Sequence, residues 1–99
     1  MLTKEVILDY LKLNKNQLSN SYQLEKLGLF GSFATDQASD DSDIDLLIDF
    51  KPNTEKIFEK KLALRKQIEA KFNRSVDLCT EKYMKPYFKE YILKSTIYV

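Results

Sequence analysis

The sequence predicts an α/β (α+β) domain, a small mixed sheet flanked by helices, and three observations carry that expectation. Apolar residues recur at helical spacing near the amino terminus and again over residues 54–72. Short apolar or alternating runs at 24–30, 43–50 and 75–80 read as strands. The order helix–strand–turn–strand–helix–strand–helix, free of repeats and linkers, is expected to form a single domain over residues 1–99.

Thr3 caps the first helix, whose apolar face is Val6, Ile7, Tyr10 and Leu11, followed by Leu13 or Leu18. That helix is expected to end around Asn14–Asn20, where Asn and Ser accumulate. Leu24–Phe30 reads as a short strand running into Gly31-Ser32, a small-residue pair suited to a tight bend. Phe33–Gln37 starts a helical turn, and Ser39-Asp40-Asp41-Ser42 makes a turn before the strongest strand signal, Asp43–Phe50. Lys51-Pro52-Asn53 ends that strand, because proline cannot donate to a ladder. Thr54, Glu55 and Lys56 open a long helix through about Phe72, with Phe58, Leu62, Leu64, Ile68 and Phe72 as its apolar stripe. Ser75–Thr80 is a third strand, and Lys85-Pro86 sets up a last helix through about Lys94, proline being tolerated in a first turn. Ile97-Tyr98-Val99 either adds a small strand or packs.

Composition narrows the chemistry. The chain has 99 residues, 16 Lys+Arg against 15 Asp+Glu, and no histidine. Near-neutral charge argues against a purely electrostatic nucleic-acid binder. Without histidine there is no Ser-His-Asp triad, no Cys-His pair and no His-bound zinc. The lone Cys79 cannot form an internal disulfide and is expected to be a reduced, small core residue. With no signal-peptide core and no apolar run long enough to span a membrane, a cytoplasmic protein is expected.

The charge is nonetheless segregated. Residues 36–50 hold Asp36, Asp40, Asp41, Asp43, Asp45 and Asp49 with no Lys or Arg, whereas residues 51–99 hold twelve basic and six acidic side chains. Such an acidic run is either a solvated loop or a set of ligands for an external cation. Strand alternation sends Ile44, Leu46, Ile48 and Phe50 to one face and Asp43, Asp45, Leu47 and Asp49 to the other. Carboxylates two residues apart stand roughly 6.5–7 Å from each other along a strand, an arrangement that folding does not favour and that a divalent cation does. Asp77 lies within an otherwise apolar strand, and with the right register it joins Asp43 and Asp45. The plainer alternative leaves Asp43 and Asp45 on a solvated face and Asp77 at a turn. An EF-hand loop starting at Asp41 fails, since Leu46 stands at its glycine position and Pro52 at its glutamate position. A haloacid-dehalogenase-type site fails because here the apolar run follows the aspartates.

Upstream, Gly31-Ser32 precedes Asp43 in the pattern Gly-Ser-x10-Asp-x-Asp. A strand entering such a turn and a helix leaving it present backbone N–H groups and a hydroxyl suited to a phosphate. Leu29-Phe30-Gly31-Ser32-Phe33-Ala34, followed by Ser39-Asp40-Asp41-Ser42-Asp43-Ile44-Asp45-Leu46-Leu47-Ile48, resembles the minimal nucleotidyltransferases of the DNA polymerase beta superfamily. The resemblance covers nearly the whole chain and implies the polymerase beta-like nucleotidyltransferase fold. It implies Gly31 and Ser32 at the triphosphate of ATP, Asp43 and Asp45 as ligands of two catalytic Mg²⁺, and Asp77 as the third carboxylate, completing the metal site. It further implies an antitoxin that transfers AMP from ATP to a tyrosine of a HEPN-domain toxin; from composition, no membrane partner and no direct nucleic-acid binding are expected.

One departure stands out. Relatives commonly read Gly-Ser-Phe-Ala-Arg-Gly, whereas Thr35 and Asp36 occupy the last two places here. Losing an arginine and gaining a carboxylate near a triphosphate weakens electrostatic binding of that anion. Arg65 or Lys66 of the long helix are the candidate replacements. The departure motivates a second reading, an antitoxin that neutralises its toxin by binding alone; transfer to a small molecule or RNA is a third. Tyr83, Tyr87 and Tyr91 recur at four-residue spacing among Lys82, Lys85, Lys89 and Lys94. A core-facing stripe is the expectation and a partner contact the alternative.

Overall fold

A computed structural model describes residues 1–99. The Thr3 hydroxyl accepts a hydrogen bond from the Val6 amide at 3.3 Å and so caps helix α1, Lys4–Leu13. Its inward face is Ile7, Leu8 and Leu11, while Val6 is 49 % exposed and Leu13 faces water. The chain then forms a second helix, α2 (Lys15–Tyr22), where the Asn/Ser-rich stretch predicted only an ending. Leu18 is its one buried anchor. Gln67 supplies the rest, donating to the Tyr10 hydroxyl at 3.1 Å and to Gln17 at 2.8 Å and accepting from the Tyr22 hydroxyl. Tertiary hydrogen bonding thus outweighs the weak local propensity of this segment.

Strand β1 (Leu24–Phe30) is followed by the four-residue helix α3 (Gly31–Ala34), and strand β2 (Ile44–Phe50) follows the acidic loop. Helix α4 covers Ile57–Phe72, strand β3 Val76–Thr80, a 3₁₀ turn Glu81–Tyr83, helix α5 Pro86–Ser95 and strand β4 Ile97–Tyr98. The sheet is mixed, in the order β3-β2-β1-β4; β2 runs antiparallel to β1 and parallel to β3, and β4 runs antiparallel to β1. Ile97-Tyr98-Val99 therefore adds to the sheet, the Val99 amide donating to Leu27 at 3.0 Å. The strand closes there because Gly28 has no side chain; a Cβ would lie 2.8 Å from the Thr96 methyl.

The predicted alternation of β2 holds. Ile44, Leu46 and Ile48 are buried with Ile7, Leu11, Leu64 and Ile68 on the face covered by α1 and α4. Leu47 points the other way, into a small cluster with Phe30 and Ile92 beneath α5, against which Cys79 packs. Full burial of each such side chain stabilises the fold by about 1.5–3 kcal/mol.

Two helical expectations are corrected. Helix α4 starts at Ile57, not Thr54: Lys56 takes a left-handed φ of 56°, and the Thr54 hydroxyl donates to Lys51 O in the turn before it. Phe58 is consequently 75 % exposed and outside the buried stripe, which Leu64 and Ile68 carry. The tyrosine stripe also faces water, with Tyr83, Tyr87 and Tyr91 at 71, 72 and 78 % exposure. Ile92 takes the inward position of α5, and its neighbour Tyr91 is turned about 100° away from it. No helix is long and apolar enough to cross a membrane.

Candidate active site

The turn at the end of β1 is shaped by Gly31, whose φ of 75° lies in the left-handed region. A Cβ there would overlap the Asp45 carboxylate, with the carboxylate carbon only 2.9 Å away. The Gly-Ser backbone is thus pressed against the central carboxylate of β2, a closeness that only glycine permits. Ser32 follows, half-buried, and its carbonyl accepts from the Gln37 amide at 2.8 Å, which folds the chain back after α3.

Sheet register brings the other acidic residues to this turn. Phe30 pairs with Asp45 across β1 and β2, and Asp45 pairs with Asp77 across β2 and β3. Neighbouring strands lie about 4.8 Å apart, so the two carboxylates share a face at one strand's distance. Asp43, exposed, stands one residue before β2 on the same side of the alternation. Asp45 is half-buried, and its carboxyl is pushed up to about 6, first by burial and then by the charges of Asp77 and Asp43. The same surroundings raise the Cys79 thiol, through burial first and Asp45 and Asp77 after it.

Asp49 and Asp36 are occupied elsewhere. Asp49 accepts from the Lys82 amide at 3.1 Å and fixes the 3₁₀ turn. Asp36 pairs with Lys4 at 3.0 Å. It also adopts a φ of 60°, a left-handed conformation that suits glycine and that aspartate tolerates better than most residues. The Thr35 hydroxyl donates to Gly31 O at 3.1 Å, closing α3 upon itself. The carboxylate that departs from the common motif is therefore partnered by a cation from α1.

Arg74 is the site residue that sequence reasoning missed. Its guanidinium donates to Ser39 O at 3.1 Å and Ser42 O at 3.0 Å and lies over the Phe33 ring at 5.4 Å from the centroid. The loop is also tied to itself, the Ser39 amide donating to the Ser42 hydroxyl at 2.8 Å. Arg74 thereby holds the acidic loop just before Asp43 against the start of β3. Its only sequence signal is an arginine two residues before a strand.

The donor set suits Mg²⁺. Asp43, Asp45 and Asp77 offer hard carboxylate oxygens, and a chain without histidine has no imidazole nitrogen to compete with them. No three acidic or cysteine side chains stand together as a ready-made metal cluster. A cleft of about 220 Å³ opens beside Asp77, between β3 and α4, with Lys61 and Arg65 in its wall. Arg65 thus lies beyond β3, two strands from Gly31-Ser32, and Lys66 is exposed outside the cleft, so neither replaces the missing arginine of the turn. The largest cleft, about 410 Å³ beside Asp49 and Phe50, lies at the other end of β2.

Comparison with known proteins bears on family and fold. The family model of the nucleotidyltransferase domain matches residues 11–99. The protein adenylyltransferase MntA of Thermococcus cleftensis is 33 % identical over 101 residues, covering all of this chain and 98 % of that one. A Methanocaldococcus jannaschii protein, assigned by inference as a protein adenylyltransferase, is 34 % identical over 100 residues and covers the whole of both chains. In fold, a solved structure described as a minimal nucleotidyltransferase superposes with a TM-score of 0.80 at 24 % identity, covering 97 % of this chain and 95 % of that one. A toxin–antitoxin crystal structure with AMP-PNP superposes with a TM-score of 0.67 at 17 % identity, covering 86 % of this chain and 68 % of that one.

Proposed function

This chain belongs to the nucleotidyltransferase domain family, as a minimal nucleotidyltransferase, and from that premise we propose that it is an antitoxin that transfers AMP from ATP to a tyrosine hydroxyl of a HEPN-domain toxin. The observation that carries the reading is the packing of Gly31 against Asp45 with Asp77 in register beside it. Full-length similarity to a protein adenylyltransferase supports a protein acceptor.

In this reading Gly31 and Ser32 seat the β- and γ-phosphates, and Asp43 and Asp45 hold Mg²⁺. The ion supplies charge neutralisation for the phosphates and the departing pyrophosphate. Asp77 faces the acceptor and takes the proton of its hydroxyl. The phenolic oxygen bonds to the α-phosphorus, the bond from that phosphorus to the bridging oxygen breaks, and pyrophosphate leaves with the electron pair. Asp45, mostly ionised at neutral pH even with its raised pKa, becomes fully so beside a cation.

The test is co-expression with the protein encoded beside it and intact-mass analysis after incubation with ATP and Mg²⁺. One or more AMP additions on a partner tyrosine are expected, and none with Asp45→Asn. A partner that is neutralised yet unmodified would overturn the reading in favour of binding alone.

A further inference from the structure

We propose that the groove along the outer edge of β3 is the docking track for the acceptor polypeptide, and that Lys61 and Arg65 select acceptors whose hydroxyl is flanked by acidic residues. The inference rests on the nucleotidyltransferase reading for the identity of the track's end point, Asp77. The cleft beside Asp77 is walled by Phe58, Lys61, Leu62 and Arg65 of α4 and floored by Leu78. Lys61 also lines the next hollow along the strand, with Cys79, Thr80, Tyr83 and Met84, so two adjoining hollows follow β3 from Asp77 to Thr80 and together form the trough.

Charge and position argue for its occupant. The ion pairs of the molecule are Lys4–Asp36 and Lys26–Glu81, which leaves Lys61 and Arg65 without a carboxylate partner beside the exposed Asp77. Two unpaired cations at the mouth of a site attract an acidic segment and repel a basic one. The trough lies on the far side of β2 from Gly31-Ser32, about 10 Å away at two strand spacings, so it flanks the acceptor's carboxylate and not the phosphate turn. Its rim carries the aromatic rings of Phe58 and Tyr83, 75 and 71 % exposed, a residue type enriched where polypeptides meet.

The experiment uses two fluorescein-labelled peptides with one central tyrosine, flanked on both sides by glutamates or by lysines. Their binding to the full chain is measured by anisotropy, and AMP transfer by mass. The glutamate peptide should bind about tenfold more tightly, the scale of two exposed ion pairs. That preference should vanish in K61Q/R65Q and reverse in K61E/R65E, while ATP affinity stays unchanged. Equal binding of both peptides to the wild type, a preference that survives K61E/R65E, or a fall in ATP affinity in either variant overturns the proposal. AMP transfer without charge preference removes the docking track and leaves the enzyme reading standing. Charge preference without transfer to any acceptor leaves the track standing and removes the enzyme reading.

Discussion

Asp45 and Asp77 are register partners on adjacent parallel strands, 32 positions apart in sequence and one strand apart in the sheet. The β2–α4–β3 connection is what brings them together, with Ile44 and Val76 packed on the opposite face one position earlier. A pair of like charges held this way weakens the fold unless a proton or a cation intervenes.

The first prediction concerns pH. Burial and the neighbouring carboxylates raise the folded-state pKa of Asp45 to about 6, above an unfolded value near 3.9. The folded chain therefore holds this proton more tightly than the unfolded one. The corresponding stability is full below about pH 4 and is lost as pH rises through about 6. After allowance for solvent screening of a half-exposed group the loss is about 1–2 kcal/mol. In metal-free buffer at pH 7.5, Asp45→Asn should melt a few degrees higher than wild type, with a flatter stability profile between pH 4 and 7. A variant that melts lower would contradict the assigned cost.

A cation should reverse that cost. Mg²⁺ with ATP is expected to raise the melting temperature, by about 2.7 kcal/mol of stability at a hundredfold excess over Kd. The gain should shrink in Asp43→Asn and disappear in Asp45→Asn. An unchanged melting temperature with Mg²⁺ and ATP in the wild type would count against the metal assignment, and calorimetric titration checks it directly.

Gly31→Ala tests the contact with Asp45. The added methyl meets both an unfavourable φ of 75° and the carboxylate, at a cost of about 1–3 kcal/mol. Displacing Asp45 should lower the transfer rate at least about a hundredfold. In an Asp45→Ala background the carboxylate clash disappears and only the 3.1 Å approach to the remaining Cβ is left, so the two substitutions should be strongly non-additive in chemical denaturation. Simple additivity would mean that the cost lies in backbone conformation alone.

Much of this site was legible from residues 29–50, for a physical reason. A strand repeats every two residues, so an apolar row of Ile44, Leu46 and Ile48 leaves Asp43 and Asp45 on the other face whatever the rest of the chain does. The elements that were misread depend on distant partners. Helix α2 has one buried apolar residue, Leu18, and is held by Gln67, 49 positions from it in sequence. The rotation of α5 is set by Ile92 finding Leu47 and Phe30, and three exposed tyrosines at helical spacing look the same as three buried ones in sequence. Arg74 on the 39–42 loop and Lys4 on Asp36 are pairings across 32–35 positions that no local pattern encodes.

Glu81 anchors the sheet at the other end of β2 from Asp45. It is only 6 % exposed and accepts from Lys26 Nζ and from the Tyr98 hydroxyl, both at 2.6 Å. These hydrogen bonds, Lys26 first, hold its carboxyl below the usual range. Its contribution is therefore full above the unfolded pKa near 4.3 and is lost as pH falls through the lower folded value. Glu81→Ala should cost about 1–3 kcal/mol at pH 7 by leaving the Tyr98 hydroxyl without its acceptor. The difference from wild type should narrow in acid, and urea titrations at pH 3 and pH 7 measure it; an equal difference at both would show that the charge of Glu81 is immaterial.

The last prediction returns to Thr35 and Asp36. Lys4 neutralises Asp36 at 3.0 Å, but the pair is exposed and leaves the turn with no cation free for a phosphate. Replacing both residues by the common motif, in T35R/D36G, puts a guanidinium beside Gly31-Ser32, releases Lys4, and relieves the left-handed φ of 60° at position 36. The exchange gives up the exposed Lys4–Asp36 ion pair and the Thr35 hydroxyl's bonds to Gly31 O, Ser32 O and Gln37 Oε1. ATP should bind about three- to tenfold more tightly, consistent with roughly 1 kcal/mol for one favourable exposed contact. The single variant D36G should account for the smaller part of the gain, because Lys4 already screens the charge it removes. If T35R/D36G bound ATP no better than wild type in calorimetric titration, the turn after β1 would not be where the triphosphate sits.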